Sequence, residues 1–190
     1  MRNNLKVNIS NPRTAFGQIA TAEETTIISQ QFPYNINARV VTTTVANGGT
    51  VTQADSQAVL STSAAASGSA KMVTNSVMKY QPGTGSVIRF SAAFTTGVAN
   101  NTQIIGYGDD NDGFFVGYNG TAFGIMRRQD GSDTWTALTA ANIDLLDGSL
   151  SADNPSAINL DPTKGNVYQI QFQWLGYGAI TFSVEDENTG

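Results

Sequence analysis

Asp109-Asp110-Asn111-Asp112-Gly113 places three carboxylates and an amide within five residues. Hard cations such as calcium take oxygen ligands of these kinds, so this stretch is the first candidate for metal chemistry. Its spacing is not that of an EF-hand loop, which ends on a bidentate Glu. The plainer alternative is a solvated acidic hairpin turn. Paired carboxylates could also cleave a glycosidic bond, if two acids stood roughly 5–10 Å apart in a cleft. Here the acids sit mostly in turns beside Gly, Asn or Pro, and only Glu185 falls on a well-marked strand, so no strand-borne pair emerges. Arg127-Arg128 follows an apolar strand, so one of the two must leave from the wet face while the other is free to meet the acidic turn or a neighbouring subunit. Tyr107, Tyr118 and Tyr177 could stack on sugars or simply pack at strand ends. The sequons at Asn8, Asn100 and Asn119 matter only in a chain secreted by a eukaryote.

Absent residue types exclude more chemistry than the present ones suggest. The chain has 190 residues, no His and no Cys. There is thus no Ser-His-Asp triad, no histidine base, no thiolate nucleophile, no disulfide framework and no His or Cys zinc site. Net charge is −5 and the pI is near 4.5, which argues against a general nucleic-acid partner. No run of 18 apolar residues occurs, so no transmembrane helix and no membrane insertion are expected. Charged residues make up 13%, about half the usual share, and Thr, Asn, Ser and Gln supply 65 residues. With 19 Gly and 5 Pro, this is a composition of strands and turns.

The elements that would position these residues fall into three zones. Met1 to about Tyr34, interrupted by Asn11-Pro12 and Phe32-Pro33, reads as an extended arm. Asn35 to Pro82 carries strand patterns at Ala38–Ala46, at Val51-Thr52, at Gln57–Ser61 and at Ala70–Tyr80. A turn signal stands at Asn47-Gly48-Gly49, and a loop at 61–70. From Thr84 onward the pattern sharpens. Ile88, Phe90, Ala92 and Phe94 share one face against Arg89 and Ser91. Strands at Gln103–Gly108, Gly113–Tyr118 and Ala122–Arg128 are joined by the acidic turn and by Asn119-Gly120, and Asp130-Gly131 turns the chain towards Trp135. Thr139 to Gly165 reads as a long irregular connection.

The last hairpin is the clearest. Tyr168, Ile170, Phe172 and Trp174 alternate with Gln169, Gln171 and Gln173; Ile180, Phe182 and Val184 alternate with Thr181, Ser183 and Glu185. One face is core and the other is wet, as in an antiparallel sheet rather than a parallel one. The whole predicts an all-β, antiparallel two-sheet sandwich, jelly-roll-like, over 35–190, with an extended N-terminal docking arm over 1–34. Asp186–Gly190 looks like a turn with no return strand, so the sandwich is expected to be incomplete at that end.

Two stretches carry a family resemblance. YQPGTGSVIRFSAAFTTGVANNTQIIGYGDDNDGFFVGYNGTAFGIMRR (80–128) and NVYQIQFQWLGYGAITFSVEDENTG (166–190) resemble a domain of structural proteins from tailed phages and some large DNA viruses, mostly marine. Asn11–Gly17 and Phe32–Asn35 are similar to the N-terminal part of the same proteins. QFQWLGYGAITF and DGFFVGYNGTAFGI are the most specific segments. The alternation is also loosely similar to a laminin-G or concanavalin-like sandwich.

The resemblance implies a non-enzymatic virion protein at the particle surface, a fibre, spike or tail-associated component. Its partners would be other copies of itself and other virion proteins, with a host-surface glycan as a further candidate. The family brings no catalytic residue, cofactor or metal ligand to carry over. It also implies further strands beyond a segment like Glu185–Gly190. The competing expectation is a lectin-like module gripping a host glycan or receptor through loops at one end of the sandwich.

Overall fold

A computed structural model describes residues 25–79, 81, 83–141, 143–173 and 178–185. The arm at 1–24, Trp174, Tyr177 and the turn expected at 186–190 lie outside these residues, and 25–34 contain no helix or strand. The chain divides into two compact units, with the boundary between Gln81 and Pro82.

In the first unit, β1 (Val41–Ala46) pairs antiparallel with β4 (Ser69–Thr74), and β2 (Thr50–Ala54) with β3 (Gln57–Ser61). The β-branched runs VTTTVA and TVTQA suit a pleated backbone. Asn47 and Gly48 turn the chain with positive φ (48° and 80°), and the Asn47 amide donates to the Ala66 and Ser67 carbonyls. The β2–β3 hairpin closes through Asp55 and Ser56, also at positive φ. The strand expected over Ala70–Tyr80 stops at Thr74, whose hydroxyl donates to the Ser76 carbonyl 3.0 Å away. Val77, beyond that stop, is 75% exposed. β1 likewise starts at Val41 rather than Ala38, because the N–H groups of Val40 and Val41 both donate to the Asn37 carbonyl in a turn. Val41 is the buried anchor of this unit.

The second unit is the sandwich. One sheet has the order β11-β10-β5, built from β5 (Gly85–Ala92), β10 (Asn166–Gln173) and β11 (Ile180–Val184). The other is a meander of four antiparallel strands, β6 (Thr102–Gly108), β7 (Gly113–Asn119), β8 (Ala122–Gln129) and β9 (Ser132–Ala137). The period-two pattern aims Phe90, Tyr168, Ile170 and Phe172 from the first sheet at Ile105, Val116, Tyr118 and Phe123 from the second. Phe172 meets Tyr107 and Phe114, with ring centroids 5.8 and 5.9 Å apart. Ile170 is fully buried. Phe94 lies just past the end of β5, where its N–H donates to the Pro162 carbonyl (2.9 Å), yet its ring enters the core.

Close strand approach in the meander depends on Gly117. Its φ is 152°, and a Cβ there would collide with the Gln103 carbonyl on β6. Among the described residues no helix is long and apolar enough to cross a membrane.

Candidate functional site

The two-residue turn Asp130-Gly131 sets the register of β8 with β9 and places Arg128 opposite Asp133. Arg128 Nε donates to Asp133 Oδ1 (2.7 Å) and Nη2 to Oδ2 (3.1 Å), a bidentate pair. Its third contact is Nη1 donating to the Asp109 carbonyl at 3.1 Å. The guanidinium also lies 5.4 Å over the Phe115 ring. The hydrogen bond to Asp133 holds Arg128 above its ordinary pKa, and the same bond holds the Asp133 carboxyl below its own.

Arg128 thereby joins the β8–β9 turn to the acidic β6–β7 turn. Asp109 Oδ1 accepts from the N–H groups of Asn111 (2.7 Å) and Asp112 (2.9 Å). Asp112 Oδ1 accepts from the Asp130 N–H, and the Asn111 carbonyl from the Gly131 N–H. The acidic stretch is thus a hydrogen-bonded Asx turn whose carboxylates organise backbone amides. Among the described residues no group of three or more His, Cys, Asp or Glu could hold a metal ion. Arg127, on the opposite face of β8, is exposed.

The tyrosines divide. Tyr118 is buried edge-to-face against Phe123 (5.0 Å) and Phe94 (6.1 Å), and Tyr107 packs on Phe172, so both serve the core. Tyr168 is 2% exposed, and its hydroxyl has no hydrogen-bond partner among the described residues. Burial pushes its pKa up to about 12.

A folded pKa above the unfolded value of about 10 means that this group's contribution is fully present below pH ~10 and is lost as pH rises towards ~12. The loss amounts to at most about 3 kcal/mol. Tyr168→Phe is expected to remove that alkaline loss and, by deleting an unpaired buried hydroxyl, to leave neutral-pH stability unchanged or raised by about 1 kcal/mol. Denaturant midpoints across pH 8–12 for the two proteins check this. Parallel curves would refute it.

Two features escaped the sequence reading. Asp133 was legible in principle, since the Asp130-Gly131 turn dictates its position opposite Arg128. Asn154 was legible only as a turn residue before Pro155, yet it is completely buried within the 138–165 connection. Its Oδ1 accepts from the Leu146 N–H (3.2 Å), and its Nδ2 donates to Asp147 Oδ1 (2.9 Å) and the Ile158 carbonyl (3.4 Å). Around it run a short 3-10 turn, Leu138–Ala140, and an isolated bridge between Asp147 and Asn159. Asp147, which also accepts from the Ser149 N–H and hydroxyl, is held below the usual carboxylate range chiefly by the Ser149 bonds.

The outer face of the three-stranded sheet has a different character. Arg89 Nε donates to Gln169 Oε1 (2.7 Å), and Gln169 Nε2 to Gln171 Oε1 (3.3 Å). Val87, Ser91, Val167, Thr181, Ser183 and Glu185 also lie on that face, all exposed. Fold and site together define an antiparallel β-sandwich with knitted turns at one end and a largely neutral polar sheet face. No family model, curated protein or solved structure matches the chain.

Proposed function

We propose that this chain is a non-enzymatic structural protein of a virus or phage particle, a fibre, spike or tail-associated component that acts in several copies at the particle surface. What carries the reading is the virion-protein resemblance of DGFFVGYNGTAFGI and QFQWLGYGAITF. The first spans the β7–β8 hairpin, and the second includes the end of β10 and the start of β11. The Gln-, Ser- and Thr-rich outer face supports it, because a sheet surface of mostly uncharged polar side chains, with Arg89 bonded to Gln169, packs against other copies while burying little unpaired charge. The bidentate Arg128–Asp133 pair and the Asx turn tie down loops that would otherwise be open to proteolysis.

Peptide mass spectrometry on purified particles tests the proposal. Coverage of this sequence at the copy number of tail or vertex proteins is the expected result. Presence in cell lysate with absence from intact particles would overturn it. A glycan array on the purified protein separates the lectin-like alternative, since a pure scaffold binds nothing on it.

A further inference from the structure

We propose that Asn47 is a self-modification site: the backbone nitrogen of Gly48 displaces ammonia from the Asn47 side chain, and the acid left behind releases the 62–68 loop. The proposal goes beyond the virion reading and does not depend on it.

Asn-Gly occurs twice, at Asn47-Gly48 and Asn119-Gly120. Glycine has no side chain to shield its nitrogen or to restrict the backbone, so this dipeptide suits the attack. The glycine nitrogen forms a bond to Asn Cγ, and the bond from Cγ to the amide nitrogen breaks. The proton lost by the glycine nitrogen leaves, through solvent, with the departing ammonia. A five-membered imide remains. Water opens it at either carbonyl, giving aspartate or isoaspartate. Nothing is oxidised or reduced, and water is the only co-reactant.

The two sites differ in what holds the attacking nitrogen. The Gly120 N–H donates to the Asn101 carbonyl (2.8 Å), and Asn119 is paired with Thr102 on one side and Ala122 on the other. Attack there must first break into the meander. Asn47 is exposed and lies one residue past the last β1–β4 pair, Ala46 with Ser69. With Gly48 it forms the centre of a turn closed by the Gly49 N–H on the Ala46 carbonyl (3.0 Å). Among the described residues the Gly48 N–H has no acceptor. One backbone hydrogen bond fewer to break is worth about tenfold in rate.

What restrains Asn47 is its own side chain. Its Nδ2 donates to the Ala66 (3.3 Å) and Ser67 (3.1 Å) carbonyls. Its backbone carbonyl accepts from the Ser63 hydroxyl, which in turn accepts from the Ala65 N–H. The departing nitrogen is the one the loop holds, so the reaction waits on local opening of the loop. The product cannot close it again. A carboxylate only accepts, and here it would face two carbonyls. Isoaspartate adds a backbone atom to the turn as well. The latch therefore opens once.

Peptide mapping of the purified chain during incubation at mildly alkaline pH tests the site, with isoaspartate detected by isoaspartyl methyltransferase. Acid should accumulate at Asn47 about tenfold faster than at Asn119. Equal or faster reaction at Asn119 overturns the site. Ser63→Ala removes a bond between loop and turn, so it should speed Asn47 and leave Asn119 unchanged. No change at Asn47, or an equal rise at both, overturns the gating. Asn47→Asp supplies one product directly. Elastase should cut it within 62–68 several-fold faster than the parent, with sheet content retained by circular dichroism. The aged parent, separated by ion exchange, gives the same readout without a substitution. Unchanged cleavage in that aged form overturns the release of the loop.

Discussion

Phe94→Ala is expected to lower the unfolding free energy of the sandwich by about 3–5 kcal/mol. Phe94 is only 8% exposed, and its ring stands 5.5 Å from Phe123, 6.1 Å from Tyr118 and 6.2 Å from Tyr168, in edge-on geometries with all three. Tyr118 and Phe123 come from the meander and Tyr168 from the other sheet, so removing Phe94 opens a cavity where the two sheets meet. The backbone limits repair. Phe94 follows the end of β5, and its N–H is fixed to the Pro162 carbonyl, so the segment cannot slide inward to fill the space. Phe94→Leu, which keeps most of the volume, should cost about 1–2 kcal/mol. Val98→Ala, at a position 62% exposed, should stay within about 0.5 kcal/mol. Urea denaturation of the three variants decides the matter, and a Phe94→Ala loss below about 1 kcal/mol would show that the rings do not act as a shared cluster.

The sequence revealed most where alternation and turn chemistry agreed. Tyr168, Ile170 and Phe172 against Gln169 and Gln171 gave strand, face and partner class together, and the structure places them so. Phe94 was assigned to the core face by the same alternation, although the strand ends two residues before it. The reading failed where a side chain competed with the ladder. Val73 and Val77 suggested one continuous strand, but the Thr74 hydroxyl turns towards Ser76 and both valines are exposed. It failed again at Asp55-Ser56, a hairpin turn at positive φ without the Gly that usually announces one.

The acidic turn illustrates a different limit. Composition suggested a cation site, whereas the carboxylates of Asp109 and Asp112 accept from backbone N–H groups, a use that residue type alone does not distinguish. One of Arg127 and Arg128 was expected to meet either that turn or a neighbouring subunit; it is Arg128 that meets the turn, while pairing with Asp133.

The 138–165 connection makes the second large prediction, and its logic is polar rather than apolar. Asn154 is fully buried and serves as acceptor to Leu146 and donor to Asp147 and Ile158 at once. Asn154→Ala would remove these three bonds and the volume of a fully buried side chain; the Leu146 N–H keeps Asp144 Oδ1 (3.1 Å) and the Ile158 carbonyl keeps the Gly148 N–H (2.9 Å), so the expected cost is about 1–3 kcal/mol. Asn154→Asp is nearly isosteric and separates packing from hydrogen bonding. It keeps the acceptor for Leu146 but replaces the donor with a carboxylate facing Asp147 and the Ile158 carbonyl. Burial and the neighbouring charge raise the folded pKa of the new carboxyl above its unfolded value of about 3.9. The variant therefore approaches the parent below that pH, where the protonated carboxyl donates again, and falls behind as pH rises through the folded pKa. Limited proteolysis should report the same order, with cleavage between Leu138 and Gly165 fastest in Asn154→Ala and pH-dependent in Asn154→Asp. A variant series in which Asn154→Asp matches the parent at pH 7 would mean that the Asp147 contact carries no weight and that the connection is held by its backbone turns alone.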